Sequence, residues 1–260
     1  MKTPPFIVFT DLDGTLLDHQ SYDYAPALPA LSRLRAYGVP VVLASSKTAA
    51  EIAPLRAELR LTASPAIVEN GAGLLPPNSP AEDKGDVYDR LRACLDQVSA
   101  PLREKFRGFG DLGAGAVALD SGLSPQKAEL ACKRAFSEPG LWYGTAVEKR
   151  EFIAELAEFG VTARRGGRYL TLTFGGTKAD RMDEAAALFG NPHRIALGDA
   201  PNDIEMLENA SVGVVIRNDH GAPLPKLKGE ASGQILRSTK PGPAGWNEMM
   251  MSLISRLTPH

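Results

Sequence analysis

Cysteine is nearly absent: Cys94 and Cys132 are the only two, and their separation carries no metal-ligand spacing. That leaves no basis for a disulfide framework or a cysteine-based zinc site and points to reduced thiols in a cytosolic setting. Long apolar runs are also missing. No stretch approaches the roughly 18 residues of a membrane span, and Asp11 and Asp13 interrupt the N-terminal run that a secretory signal would need. An excess of one charge is missing too. A net charge of -2 argues against a nucleic-acid binder driven by bulk electrostatics. Internal repeats and low-complexity segments are not found. These absences predict a soluble, cytoplasmic protein with neither nucleic acid nor membrane as partner. What remains is ordinary globular composition, 43% hydrophobic and 23% charged over 260 residues, enough for one large α/β domain or two smaller ones.

The stretch that organises the chain is 6–18, FIVFTDLDGTLLD. Its opening run, Phe6-Ile7-Val8-Phe9, shows no polar alternation, as expected of a central parallel strand buried on both faces. It ends in Asp11 and Asp13, two residues apart, with Gly14 behind them. Residues two apart on extended backbone share a face, and two acids aimed the same way repel unless a cation or a shared proton reconciles them. Ligands in open α/β sheets bind at the carboxyl ends of strands. The stretch therefore reads as a strand delivering paired carboxylates to a site, with Gly14 allowing a close backbone turn.

The following residues alternate in kind. Ala27, Leu28, Leu31 and Leu34 mark one face of a helix over 26–37, closed by Gly38. A strand is expected at 39–44, a helix at 49–59 and a strand at 66–68 that runs into Glu69-Asn70-Gly71. This rhythm is that of a parallel sheet with crossover helices. It breaks at 76–86, PPNSPAEDKGD, a proline- and charge-rich excursion. Beyond it, helices are predicted at 87–98, 102–106 and 125–136, and strands at 117–119, 149–153, 161–163 and 169–174. The rhythm returns with a helix at 178–188, a strand at 194–197, a helix at 203–208, a strand at 212–216, a loop at 239–246 and a last helix at 247–257. The expected fold is α/β: a Rossmann-like three-layer core with a parallel sheet, 1–80 and 170–260, carrying an inserted α+β cap domain at 81–169.

Four polar sites terminate core elements: Asp11 with Asp13, Ser45, Lys178, and the loop Gly198-Asp199-Ala200-Pro201-Asn202-Asp203. Carboxylates from both ends of the chain, with no histidine or cysteine pair nearby, favour Mg²⁺ over Zn²⁺. A hydroxyl and a lysine supply the donors and positive charge that phosphoryl oxygens require. By itself Lys178 reads as a solvated helix residue and Ser45 as a helix cap. Together with a carboxylate nucleophile and a metal, they describe phosphoryl transfer.

The order DxDGT, a hydroxyl after the second strand, a lysine, then GDxxND resembles the haloacid dehalogenase superfamily of phosphatases, and the insertion resembles its type IIB cap. The resemblance spans essentially the whole chain. It implies that Asp11 is the nucleophile that forms an aspartyl-phosphate and that Asp13 is the general acid/base. It further implies that Mg²⁺ is held by Asp11, Asp199 and the backbone carbonyl of Asp13, with Asp203 acting directly or through water and Asn202 supporting the metal loop. Ser45, Ser46, Asn70 and Lys178 become the phosphate-binding residues. Within the branch, Ala44-Ser45-Ser46-Lys47-Thr48, Arg150-Glu151-Phe152, Gly166-Gly167-Arg168 and TKPGPAGWNE are similar to the mannosyl-3-phosphoglycerate phosphatases. Thr177 and Ala179 stand where family members often carry an acidic residue and a glycine. The implied substrate is a phosphorylated sugar-glycerate, with Arg168, Arg165 and Arg164 of the cap suited to its carboxylate. Glucosyl-3-phosphoglycerate, sucrose phosphate or another phosphosugar is the same-class alternative, and a phosphomutase the alternative of another class.

Overall fold

The structure, a computed structural model, describes residues 4–81 and 85–257. Glu82, Asp83 and Lys84 of the expected excursion lie outside the described residues. The chain divides into two compact units. One comprises Met1–Ser45, Arg56–Ser79 and Thr177–His260; the other comprises Ser46–Leu55 and Pro80–Gly176. The second unit thus takes in 46–55, ahead of the expected start of the cap. Within it the Thr48 hydroxyl donates to the Leu130 carbonyl (2.9 Å) and Arg134 Nη1 to the Ser46 carbonyl (3.3 Å).

The first unit is built on β1 (Phe6–Thr10), α1 (Leu28–Ala36), β2 (Val41–Ala44), α2 (Ala49–Glu58, its first part in the other unit), β3 (Ala66–Val68) and β4 (Gly73–Leu75). All five residues of β1 are buried, so it sits in the middle of the sheet as its apolar run requires. After the second unit's elements come α8 (Lys178–Ala187), β9 (His193–Gly198), α9 (Ile204–Asn209), β10 (Val212–Arg217), β11 (Ile235–Pro241) and α10 (Gly242–Leu257). The seven-stranded sheet has the order β11-β10-β9-β1-β2-β3-β4. Neighbours are parallel except at the β3–β4 edge. Successive strand residues face opposite ways. Ile7 and Phe9 pack with Met182, Ala185 and Ala186 of α8 and with Met206 and Leu207 of α9. Thr10 faces the other way, towards α10, where the Trp246 indole donates to its hydroxyl at 3.0 Å.

The second unit contains α3 (Asp86–Leu95), α4 (Ala100–Arg103), β5 (Phe106–Gly108), α5 (Phe109–Ser121), α6 (Pro125–Ala131), β6 (Ser137–Trp142), α7 (Ala146–Glu158), β7 (Thr162–Gly166) and β8 (Tyr169–Thr173). Its antiparallel sheet runs β5-β6-β8-β7. Phe106, Leu170 and Leu172 share a core with Leu91 and Leu95 of α3 and Phe152 and Leu156 of α7.

Several local expectations are corrected here. The expected strand at 149–153 lies inside α7, where Thr145 and Glu148 cap the start reciprocally (2.7 and 3.2 Å). Phe152 and Leu156, four apart, fill the core. The expected strand at 117–119 lies in α5, and the expected helix at 102–106 stops at Arg103, with Phe106 opening β5. The helix expected to reach 136 stops at Ala131, and Ser137 opens the unforeseen β6. The expected loop at 239–246 is the end of β11 and the first turn of α10. Pro241 is tolerated because β11 is an edge strand, and Pro243 because it falls in a first helical turn.

Candidate active site

Register explains why residues far apart in sequence meet. Thr10 of β1 pairs with Leu197 of β9 and Leu43 of β2, and the Asp11 amide donates to the Leu197 carbonyl at 2.9 Å. Asp11 therefore leaves β1 beside Asp199, just beyond β9, and near the end of β2 that carries Ser45. Asp11 and Asp13 lie past the last strand residue, in a tight turn where Gly14 N–H donates to the Leu17 carbonyl (2.9 Å) and Leu17 N–H to that of Leu12 (2.8 Å). Gly14 has φ +84°, and a Cβ there would sit 2.7 Å from Asp199 Oδ2. A Cβ would have to push that carboxylate aside, in a backbone conformation that already favours glycine.

Asp11, Asp199 and Asp203 are buried and offer carboxylate oxygens that lie within 4.8 Å of one another. Lys178, the first residue of α8 and 2% exposed, reaches into the group. Its Nζ donates to Asp11 Oδ1 at 2.6 Å and to Asp203 Oδ1 at 2.7 Å. Thr177 caps the helix and Asp180 returns the bond, which holds this end of α8 in place. Asp203 Oδ2 accepts from the amides of Asp199 and Ala200, each at 3.1 Å. Burial, aided by the charges of Asp203 and Asp199, raises the Asp11 carboxyl well above its ordinary range, against the pull of the Lys178 ammonium. Burial also raises Asp199. Burial alone would discharge Lys178, but the two carboxylates hold it protonated.

Three buried carboxylates facing one ammonium leave the group short of positive charge, and the donor set is all oxygen. Those are the demands of a hard divalent cation, so the residues fit a metal such as Mg²⁺.

The other expected site residues are placed as follows. Asp13 is half-buried in the turn and outside the three-carboxylate group. Ser45 is buried at the end of β2, its carbonyl accepting from the Asn70 amide at 2.9 Å. Asn70 Oδ1 accepts from Asn202 Nδ2 at 3.0 Å, so these two side chains meet. Ser46 is exposed and belongs to the second unit. Arg164 and Arg165, which fell between the strands expected at 161–163 and 169–174, belong to the exposed edge strand β7. Arg168 donates to the Asp120 carbonyl and pairs with the Asp120 carboxylate at 3.7 Å.

Two residues escaped the sequence reading. Thr15 Oγ1 donates to Asp199 Oδ1 and Asn218 Nδ2 to Asp199 Oδ2, both at 2.6 Å. Together they orient a buried carboxylate. Thr15 belongs to the DxDGT motif, which is a signal; Asn218 follows β10 in an ordinary loop and carries none.

An open, mostly parallel sheet that gathers carboxylates, a buried ammonium and a hydroxyl residue at the carboxyl ends of its central strands defines an α/β enzyme scaffold with a cation-ready acidic centre. Residues 8–84 and 173–229 match the haloacid dehalogenase-like hydrolases. That is more than half of the chain, which belongs to this family. Solved structures share the fold. A hypothetical protein from Geobacillus kaustophilus is 22% identical with a TM-score of 0.67, over 97% of this chain and 99% of that one. A superfamily phosphatase from Bacteroides thetaiotaomicron is 17% identical with a TM-score of 0.64, over 96% and 94%. The sucrose-phosphatase of Synechocystis, solved with sucrose and phosphate, is 16% identical with a TM-score of 0.60, over 97% and 98%. Among the described residues, no helix is long and apolar enough to cross a membrane.

Proposed function

We propose that this protein is a metal-dependent phosphatase of sugar phosphates that works through an aspartyl-phosphate on Asp11. The observation that carries this reading is Lys178 joined at once to Asp11 and Asp203 within a group of three buried carboxylates. In this role Asp11 attacks phosphorus, and the ammonium of Lys178, in contact with that carboxylate, opposes the rise in its pKa that burial brings. Asp13 protonates the departing sugar oxygen and then takes a proton from the water that cleaves the aspartyl-phosphate. Ser45, Ser46 and Asn70 supply donors to phosphoryl oxygens. Asp11, Asp199 and the Asp13 carbonyl would hold Mg²⁺, with Asp203 and Asn202 in support. When bound, the cation neutralises charge on the phosphoryl group and screens it from the carboxylates. Membership of a hydrolase family supports the reaction type, and folds shared with a subclass IIB sugar phosphatase and a sucrose-phosphatase support the substrate class.

The finer reading is that the substrate is mannosyl-3-phosphoglycerate and the product mannosylglycerate. It rests on the sequence segments quoted above, with Arg168 as the cation for the glycerate carboxylate. In that role the guanidinium exchanges its present partner, Asp120, for the substrate's carboxylate.

The test is phosphate release with Mg²⁺ from mannosyl- and glucosyl-3-phosphoglycerate, sucrose 6-phosphate, mannose 6-phosphate and 3-phosphoglycerate. A preference of about a hundredfold in kcat/KM, worth about 2.7 kcal/mol, for the mannosyl compound is expected. A flat profile overturns the finer reading, and no release from any member overturns the phosphatase. Asp11→Asn abolishes release while leaving the fold intact; near-normal turnover would remove Asp11 from its role.

A further inference from the structure

Arg181 stands one turn beyond Lys178 on α8, and nothing in the reaction just described uses it. Its guanidinium is spent on backbone. Nε donates to the Gly71 carbonyl at 3.1 Å and Nη2 to the Ala72 carbonyl at 3.3 Å, while Glu184 fixes the remaining nitrogen, Nη1, at 2.6 Å. The segment it grips is unusual. Glu69, Asn70 and Gly71 have φ of +53°, +58° and +90°, three successive residues in the left-handed region, two of them not glycine. Such backbone persists only where its surroundings over-determine it, and it concentrates at functional sites.

The turn also carries a cross-connection. The Asn70 amide donates to the Ser45 carbonyl at the end of β2 (2.9 Å), and the Asn70 side chain accepts from Asn202 in the 199–203 loop (3.0 Å). One residue thus ties two of the polar loops together while its backbone is left-handed. On its far side the turn abuts the start of α8: a Cβ on Gly71 would meet the Thr177 carbonyl carbon at 2.1 Å and Lys178 N at 2.4 Å.

We propose that Arg181 is a positioning residue that locks the left-handed turn at 69–71 onto α8, so that Asn70 holds the Ser45 and Asn202 loops in register with Lys178. Its planar fork satisfies two adjacent carbonyls that face one way, a task a lysine's point charge does not reproduce. The kinetic consequence rests on the phosphatase reading; the backbone consequence does not.

The experiment combines amide hydrogen exchange with steady-state hydrolysis of p-nitrophenyl phosphate, on wild type, Arg181→Ala, Arg181→Lys, Asn70→Ala and the Arg181→Ala/Asn70→Ala double variant. The expected result is at least tenfold faster exchange at the Asn70 and Ala72 amides in Arg181→Ala, with the later amides of α8 unchanged. Turnover falls about tenfold in kcat with KM little altered, and the double variant is no slower than Asn70→Ala alone, because both act through one connection. Arg181→Lys, which keeps the charge and guards against a misfolded alanine variant, shows the same direction of change in both readouts. Unchanged exchange at the turn overturns the proposal. So does a loss of protection with no fall in kcat, or a double variant whose defect is the product of the two single ones. If wild type hydrolyses no phosphate monoester, the phosphatase reading fails, while the exchange result still decides whether Arg181 holds the turn.

Discussion

Replacing Gly71 by alanine imposes two separable costs, and Gly38→Ala isolates one of them. Both glycines have positive φ, +90° and +65°, where an L-residue is disfavoured by about 1–2 kcal/mol. Around Gly38, in the turn after α1, a Cβ would meet nothing within 4 Å. At Gly71 the same atom would lie 2.1 Å from the Thr177 carbonyl carbon and 2.2 Å from its oxygen. Ordinary contact begins near 3.4 Å, so the turn and the start of α8 must separate by about 1 Å. Both partners are backbone, so no side chain can swing aside, and overpacking of this kind costs a further 1–3 kcal/mol or so. Gly38→Ala should therefore lose about 1 kcal/mol, a fall in Tm of about 2 °C, with unaltered kcat. Gly71→Ala should lose about 2–5 kcal/mol. A shift of about 1 Å at Lys178 should also cost about a hundredfold in kcat/KM. Urea melts and steady-state hydrolysis of p-nitrophenyl phosphate read both. Equal effects of the two substitutions, or wild-type turnover in Gly71→Ala, would refute the reasoning.

Two other outcomes follow from buried polar contacts. Trp246→Phe removes the indole donor to Thr10, whose hydroxyl donates in turn to the Asp11 carbonyl; the variant should lose about 2 kcal/mol in urea, and a loss below about 0.5 kcal/mol would mean the contact contributes nothing. In the second unit, burial works to raise the Asp111 carboxyl, but hydrogen bonds from Arg92, Arg103 and the Gly108 amide prevail and hold it at about 2. A carboxyl depressed on folding adds stability above its unfolded pKa near 3.8 and loses it as pH falls to about 2. With screening at its partly exposed arginine partners allowed for, Asp111→Asn should be about 1–2 kcal/mol less stable than wild type at pH 5, with the gap closing by pH 2. A gap independent of pH would show that the ion pairs are not its source.

Legibility in the sequence tracked how local the determining physics was. The run Phe6–Phe9 announced a central strand because burial on both faces removes polar alternation, and the Asp-x-Asp-Gly-Thr turn announced itself by composition. Alternating strands and helices up to residue 75 and after 177 prescribed a mostly parallel sheet. The middle region was harder. Phe152 and Ile153 suit a strand by local preference, yet Thr145 and Glu148 cap a helix there, and its Phe152–Leu156 face meets a core that only the folded unit supplies. Arg164 and Arg165 fell between the strands expected at 161–163 and 169–174, next to Gly166 and Gly167; their charge is equally suited to an exposed edge strand, where it discourages pairing with another chain.

By itself the sequence determined the α/β class, the acidic turns at the ends of β1 and β9, and the presence of a lysine at a helix start. Each is set within a few residues, by hydrophobic period, turn chemistry or capping. Tertiary structure alone decided that Asp11, Asp199 and Asp203 converge, through the parallel register of β1 with β9. It also decided that Lys178 bridges two of them, that Thr15 and Asn218 orient Asp199, and that Arg181 grips a turn 110 residues away. Those contacts depend on which strands become neighbours and at what offset. That choice is made by the whole sheet burying its faces at once, and no local segment carries it.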